Sequence, residues 1–137
     1  MENIKLKIIT QNKIVYEGEA NAFYTDAQDG RIGILPNHLP ITCVLKIGVT
    51  KIITDKEPIF VTTMGGVMHF NNNEAVILTD IAELGDDIDE VRAHDAYERA
   101  KARIAAQKDK LDVLRAQVAL QKAIARISAT GKHIWKN

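Results

Sequence analysis

"LGDDIDEVRAHDAYERA", residues 84 to 100, is where the chain changes its rules. Before it, apolar residues alternate with polar ones or come in short runs between turn formers. From Asp86 to Asn137 there is one glycine, Gly131, and no proline, and alanine becomes the commonest residue. Asp86, Asp87 and Asp89 offer an N-cap and the negative charge that a helix N-terminus favours. The spacing predicts a first helix from Ile88 to Ala106, a reversal in the polar "QKDK" at Gln107 to Lys110, and a second helix from Leu111 to Ala129 that stops near Gly131. Residues 85–137 are thus expected to form an antiparallel two-helix hairpin domain.

Upstream, the period is two. In "IKLKI", Ile4, Leu6 and Ile8 point one way and Lys5 and Lys7 the other, as in a strand with one wet face. Further strands are expected at Val15–Glu19, Asn21–Thr25, Arg31–Leu35, Ile41–Leu45, Val49–Thr54, Ile59–Thr63, Val67–Phe70 and Ala75–Thr79. Between them stand turn signals at Asp29-Gly30, Pro36-Asn37, Ile47-Gly48, Lys56-Glu57-Pro58, Gly65-Gly66 and Asn71-Asn72-Asn73. About eight to ten short strands without intervening helices imply a sandwich or flattened barrel over residues 1–84. The expected class is α+β: an all-β sandwich, then the hairpin.

Composition excludes several functions. Lys+Arg and Asp+Glu balance at 18 each, so no global field draws the chain to nucleic acid or to an anionic membrane. Aromatic residues make up only 5%, too few for a base-stacking platform. The one cysteine, Cys43, cannot form an intrachain disulfide, which suits a reduced, cytosolic setting. The N-terminal "MENIKLKIIT" lacks a leader pattern, and no run approaches the ~18 apolar residues of a span. No direct membrane insertion is expected.

The hairpin's seam is thin. Ala93, Tyr97, Ala100 and Ile104 follow a 4-3-4 spacing, and Val113, Ala116, Leu120, Ile124 and Ile127 form the expected opposing stripe. Alanine lets helix axes approach but removes little apolar area from water, so at roughly 25 cal/mol per Å² such a seam gains only a few kcal/mol. Closure should be easily biased.

Arg92 and Arg99 are seven residues apart, about two helical turns, and share a face. A reversal near residue 109 brings Arg92 level with Arg126 and Arg99 close to Lys122, making a wall of cations. Such a wall suits a polyphosphate, whose oxygens match planar guanidinium forks. The ordinary alternative is Asp95, three residues after Arg92 and four before Arg99, pairing with both as a surface ladder. Spacing alone leaves both open.

"GRIGILPNHLPI" (Gly30 to Ile41), "LKIG" (Leu45 to Gly48) and "MGGVMHF" (Met64 to Phe70) make the chain resemble the epsilon subunits of bacterial F-type ATP synthases, and the likeness runs through its whole length. The resemblance implies a non-catalytic rotor subunit of the central stalk, coupling the catalytic head to the membrane sector. Its sandwich would pack on the gamma subunit and rest on the ring of c subunits, with the loop Asp29 to Gly33 facing that ring and the segment around His38 near gamma. Its hairpin would fold down on the sandwich or extend toward the alpha and beta subunits, where it inhibits ATP hydrolysis. The location implied is peripheral, on the cytoplasmic side of the bacterial cell membrane.

Family members whose first C-terminal helix begins Ile/Leu-Asp-x-x-Arg-Ala bind ATP as a regulatory ligand in the folded-down form. "IDEVRA" (Ile88, Asp89, Arg92 and Ala93 at the specified positions) matches, Arg99 and Arg126 match the further phosphate-side arginines, and Glu83 matches an acidic residue on the adenine side. Lys122 departs from the pattern, since lysine is a point charge where strong binders resembling this chain carry arginine. No cofactor is required by this reading; the alternative it leaves is a purely structural stalk subunit whose hairpin binds no ATP.

Other chemistries find no support. His38, His69, His94 and His133 lack metal-ligand spacing, and His38 reads as a turn or interface residue. No G-x-x-x-x-G-K-[ST] is present, Ser128 is the only serine, and Gly65-Gly66 precedes a strand and reads as a turn.

Overall fold

The computed structural model describes residues 3–106 and 109–130. Its strands are β1 (Ile4–Ile9), β2 (Ile14–Ala20), β3 (Ala22–Ala27), β4 (Gly30–Ile34), β5 (Ile41–Ile53), β6 (Ile59–Asn71), β7 (Glu74–Leu78) and β8 (Ile81–Leu84). A 3-10 turn at Gly85–Asp87 leads into α1 (Glu90–Ala106), and α2 (Lys110–Ala129) follows. The strands join in the order β2-β1-β7-β6-β5-β3-β4, with β8 also paired to β6. This is the expected α+β architecture, an eight-stranded sandwich followed by two helices.

The long strands correct the sequence reading. Ile41–Leu45 and Val49–Thr54 belong to the single strand β5, and Ile59–Thr63 and Val67–Phe70 to the single strand β6. The two keep one antiparallel register from Ile41↔Phe70 to Ile52↔Ile59. Ile47-Gly48 and Gly65-Gly66 are therefore strand positions, not turns. Gly65 and Gly66 take φ of 82° and 107°, and a Cβ on Gly66 would run into the Leu78 carbonyl. Glycine there permits the bend and the close approach where β6 passes from pairing with β8 to pairing with β7. The sequence reading also missed β8, whose four residues carry too little periodicity to be seen.

Alternation does its expected work in β1: Ile4, Leu6 and Ile8 are buried, and the strand closes the sandwich by pairing with β2 and, in parallel, with β7. The core gathers Phe23, Ile52, Val61, Met68, Phe70 and Ile77 around them. Three buried hydroxyls cross it as a satisfied chain, Thr25 to Thr50 at 2.7 Å and Thr50 to Thr63 at 3.0 Å.

The hairpin lies against the sandwich, with α2 on β5 and β6 and α1 packed on α2. Ala93 and Ala100 of α1 are buried, with Tyr97 and Ile104 half-buried, as the 4-3-4 spacing requires. On α2 the matching series is Ala116, Leu120, Ala123 and Ile127; Ile124, expected in the stripe, is 45% exposed. A step of four from Leu120 drifts off the seam, whereas the step of three to Ala123 stays on it. A second face of α2 buries Ala125 and Ala129 against Val49 and Met64, with Phe60, Ile47, Ile81 and Ile88 around them. Closure thus rests on this docking as well as on the thin seam.

Candidate functional site

Leaving β8 at Leu84, the chain makes its 3-10 turn and passes Ile88 in extended backbone (φ −87°, ψ 130°) before α1 begins. Asp89 caps that helix: its carboxylate accepts from the Arg92 N–H at 3.1 Å and its carbonyl from the Ala93 N–H at 3.0 Å. The cap fixes the phase of α1, so that Arg92, Ala96 and Arg99 fall on one side with Ala93. Arg126, in the last turn of α2, approaches the same place from the second helix.

Together these elements enclose a cavity of about 390 Å³. Glu83 from β8, Asp87 and Ile88 from the connection, Asp89, Arg92, Ala93, Ala96 and Arg99 from α1 and its cap, and Arg126 from α2 line it. The seven residues singled out in the sequence, Glu83, Ile88, Asp89, Arg92, Ala93, Arg99 and Arg126, are all brought to this one cavity. Lys122 is not among its walls; it is a half-buried residue one turn back on α2. Asp87 and Ala96 line the cavity without having been singled out. Ala96 stands four residues after Arg92 and three before Arg99, so helical spacing alone places it there.

The charges divide unevenly. The Arg126 Nε donates to the Glu83 carboxylate at 2.8 Å. Among the described residues, Arg92 and Arg99 make no ion pair, and the ladder through Asp95 does not form. Two guanidinium groups therefore face a small apolar floor of Ile88, Ala93 and Ala96 with their donors available. An anion with several oxygens, attached to a small flat apolar group, suits such a mixture.

The histidines take structural places. His38 Nδ1 lies 2.6 Å from the Leu39 carbonyl with its ring edge-on to Phe70, and His69 Nδ1 is 2.7 Å from the Thr42 hydroxyl. His133 lies outside the described residues, as does Gly131. Among the described residues no cluster of His, Cys, Asp or Glu could hold a metal ion, and no helix is long and apolar enough to cross a membrane.

A β-sandwich followed by a docked pair of helices defines a class of small two-part proteins, and comparison places the chain within it. Residues 3–85 match the family described as ATP synthase, Delta/Epsilon chain, beta-sandwich domain, and residues 86–131 match ATP synthase, Delta/Epsilon chain, long alpha-helix domain. The chain belongs to the delta/epsilon chain family of ATP synthases, as a non-catalytic subunit. The chloroplastic ATP synthase epsilon chain of Ipomoea batatas is 37% identical over 99 residues, 72% of this chain and 74% of that protein. That of Nicotiana tabacum is 36% identical over 101 residues, 74% of this chain and 76% of its own length. These relatives are chloroplastic, so the likeness is not confined to the bacterial members suggested by the motifs. A chain in the Euglena gracilis mitochondrial ATP synthase structure (OSCP/F1/c-ring) superposes with a TM-score of 0.82 at 20% identity, over 96% of this chain and 82% of that one. A chain of the Tetrahymena thermophila mitochondrial central stalk and c-ring gives 0.62 at 15% identity, over 94% and 97%. At these identities the superpositions speak for the fold alone.

Proposed function

We propose that this chain is a rotor subunit of the ATP synthase central stalk whose hairpin binds ATP when folded down on the sandwich. Bound nucleotide keeps the hairpin from rising to inhibit hydrolysis. The observation that carries this reading is the convergence of Arg92, Arg99 and Arg126, from two different helices, on one cavity that both helices wall. The arginines hold the phosphates, Ile88, Ala93 and Ala96 floor the base, and Asp89 fixes the start of α1. Lys122, off the cavity wall, contributes only a diffuse charge.

The energetics agree. A ligand that binds only the closed form stabilises it by RT ln(1 + [L]/Kd), about 2.7 kcal/mol at a hundredfold excess over Kd. That is of the same order as an alanine seam supplies, so nucleotide adds to the seam and to the docking of α2 on Val49 and Met64 a contribution large enough to bias the hairpin's posture.

The partners proposed are gamma, the c-ring and, for a raised hairpin, alpha and beta, with membrane association wholly peripheral and on the cytoplasmic side of a bacterial membrane. Support for a partner on the sandwich comes from an apolar row across its outer surface. Val44, Val67 and Leu78 are direct neighbours on β5, β6 and β7, all exposed, and the row continues through Ile9 to Ile14 on β1 and β2. Contiguous apolar surface of this kind marks an interaction face. Leu39, 78% exposed beside His38, adds an apolar tip at the β4–β5 loop.

Titration calorimetry with ATP on the wild type, Arg92→Ala and Arg126→Ala tests the nucleotide reading. Saturable binding by the wild type and a loss of roughly tenfold or more in each variant are expected. Wild-type protein that takes up no ATP leaves only the scaffold role.

A further inference from the structure

Glu83 and Arg126 meet across the boundary between sandwich and hairpin. Among the described residues, the ion pairs Lys7–Glu17 and Asp26–Arg31 stay within the sandwich and Asp112–Arg115 within α2. The two partners of this crossing pair are mounted very differently. Glu83 sits opposite Thr62 in the β6–β8 ladder, donates its N–H to the Thr62 hydroxyl at 2.9 Å, and that residue is fully buried. Its backbone is held in the strand ladder of the sandwich. Arg126 rides on the last turn of α2 and moves wherever that helix goes.

The atoms used matter. Arg126 gives Nε–H to Glu83 Oε1, which occupies one edge of the guanidinium. The Nη groups carry the other four donors of the fork, and Arg126 lines the same cavity as Arg92 and Arg99. A carboxylate on the Nε edge fixes the plane of the group and leaves its outer edge for an anion.

We infer that Glu83 is a positioning residue for Arg126. One bond both latches α2 to the sandwich and aims the free guanidinium edge at the phosphate side of the cavity. This assigns Glu83 to the phosphate end of the ligand through Arg126, where the family resemblance assigns it to the base. The inference rests on the polyphosphate reading of the cavity for its second half, while the latch stands on the ion pair alone.

Full-length wild type, Glu83→Ala, Glu83→Gln and the charge-swapped double variant Glu83→Arg/Arg126→Glu separate the outcomes. Hydrogen exchange without nucleotide reads the latch, with β1 and β7 amides as the control for an intact sandwich. Glu83→Ala should speed exchange in residues 110–129 about two- to fivefold, and the swap should return it to the wild-type rate. Calorimetry with inorganic tripolyphosphate and, separately, adenosine then reads the aim. Glu83→Ala should weaken tripolyphosphate severalfold and leave adenosine unchanged, and Glu83→Gln, whose amide oxygen still accepts from Nε, should fall between. The swap should close yet bind no tripolyphosphate.

Unchanged exchange in Glu83→Ala overturns the latch. Weakened adenosine with tripolyphosphate untouched overturns the positioning role and returns Glu83 to the base. Failure of the wild type to bind any polyphosphate sinks the nucleotide reading and the aiming role with it, and the exchange arm still judges the latch.

Discussion

Gly85 passes so close beneath the Ala129 carbonyl that a Cβ at position 85 would collide with it. The contact joins the first residue after the sandwich to the last turn of α2, and the obstacle is backbone, which cannot turn aside as a side chain can. Gly85→Ala should therefore lift the end of α2 from Val49 and Met64 at a cost of about 1–3 kcal/mol to docking. Hydrogen exchange should quicken in residues 110–129 and stay unchanged in β1 and β7. Equal rates in both regions would show that the hairpin accommodates the methyl group.

Asn37 and Asn73 clip the β4–β5 loop to the β6–β7 turn. The Asn37 N–H donates to the Asn73 side-chain oxygen at 2.6 Å, and the Asn73 amide donates back to Asn37 at 3.1 Å. Asn73 also holds φ at 60°, a left-handed position. Both Asn73→Ala and Asn73→Gly lose the clip, but alanine keeps a Cβ in the left-handed conformation without the local polar contacts of asparagine, whereas glycine removes the Cβ. Denaturant unfolding should find the alanine variant less stable than the glycine one by about 1 kcal/mol. The reverse order would show that a Cβ at this left-handed position costs less than the added chain freedom of glycine.

The apolar row should be a binding face and not a structural one. Val67 is 39% exposed at its centre, so Val67→Glu should leave the melting temperature within a few degrees of wild type. Co-purification with gamma should nonetheless be lost. Retained co-purification would argue against this row as the proposed face for gamma.

Burial raises the pKa of the Cys43 thiol, and the nearby Asp29 carboxylate raises it further. A raised pKa leaves less thiolate at a given pH, and thiolate is the reacting species. Alkylation at pH 8 should be slower than for a free thiol, and Asp29→Asn should speed it by lowering the pKa. A rate unaffected by Asp29→Asn would leave burial as the whole cause.

Much of this is legible in the sequence. A period of two in "IKLKI" and its loss after Gly85 mark the division into sandwich and hairpin, and the seven-residue spacing of Arg92 and Arg99 places both on one face. Glycine misled where it bends a strand: Gly48 and Gly65-Gly66 look like loop punctuation because the sequence shows the conformational freedom but not its use. Ile124 fits the seam spacing because steps of four and of three both occur along a helical stripe, and only the second face of α2, turned to Val49 and Met64, decides between them. The Glu83–Arg126 bond had no local signal, since it joins residues 43 apart in the chain. β8, which carries Glu83, is too short to declare itself.

If, as proposed, phosphates seated among Arg92, Arg99 and Arg126 hold the hairpin closed, ATP should slow its amide exchange. Hydrogen exchange of the isolated protein, with and without saturating ATP, should show slower exchange throughout residues 90–106 and 110–129 with ATP, no change in β1 and β7, and loss of the effect in Arg92→Ala. Exchange in the two helices that is indifferent to ATP would contradict this role for the phosphates.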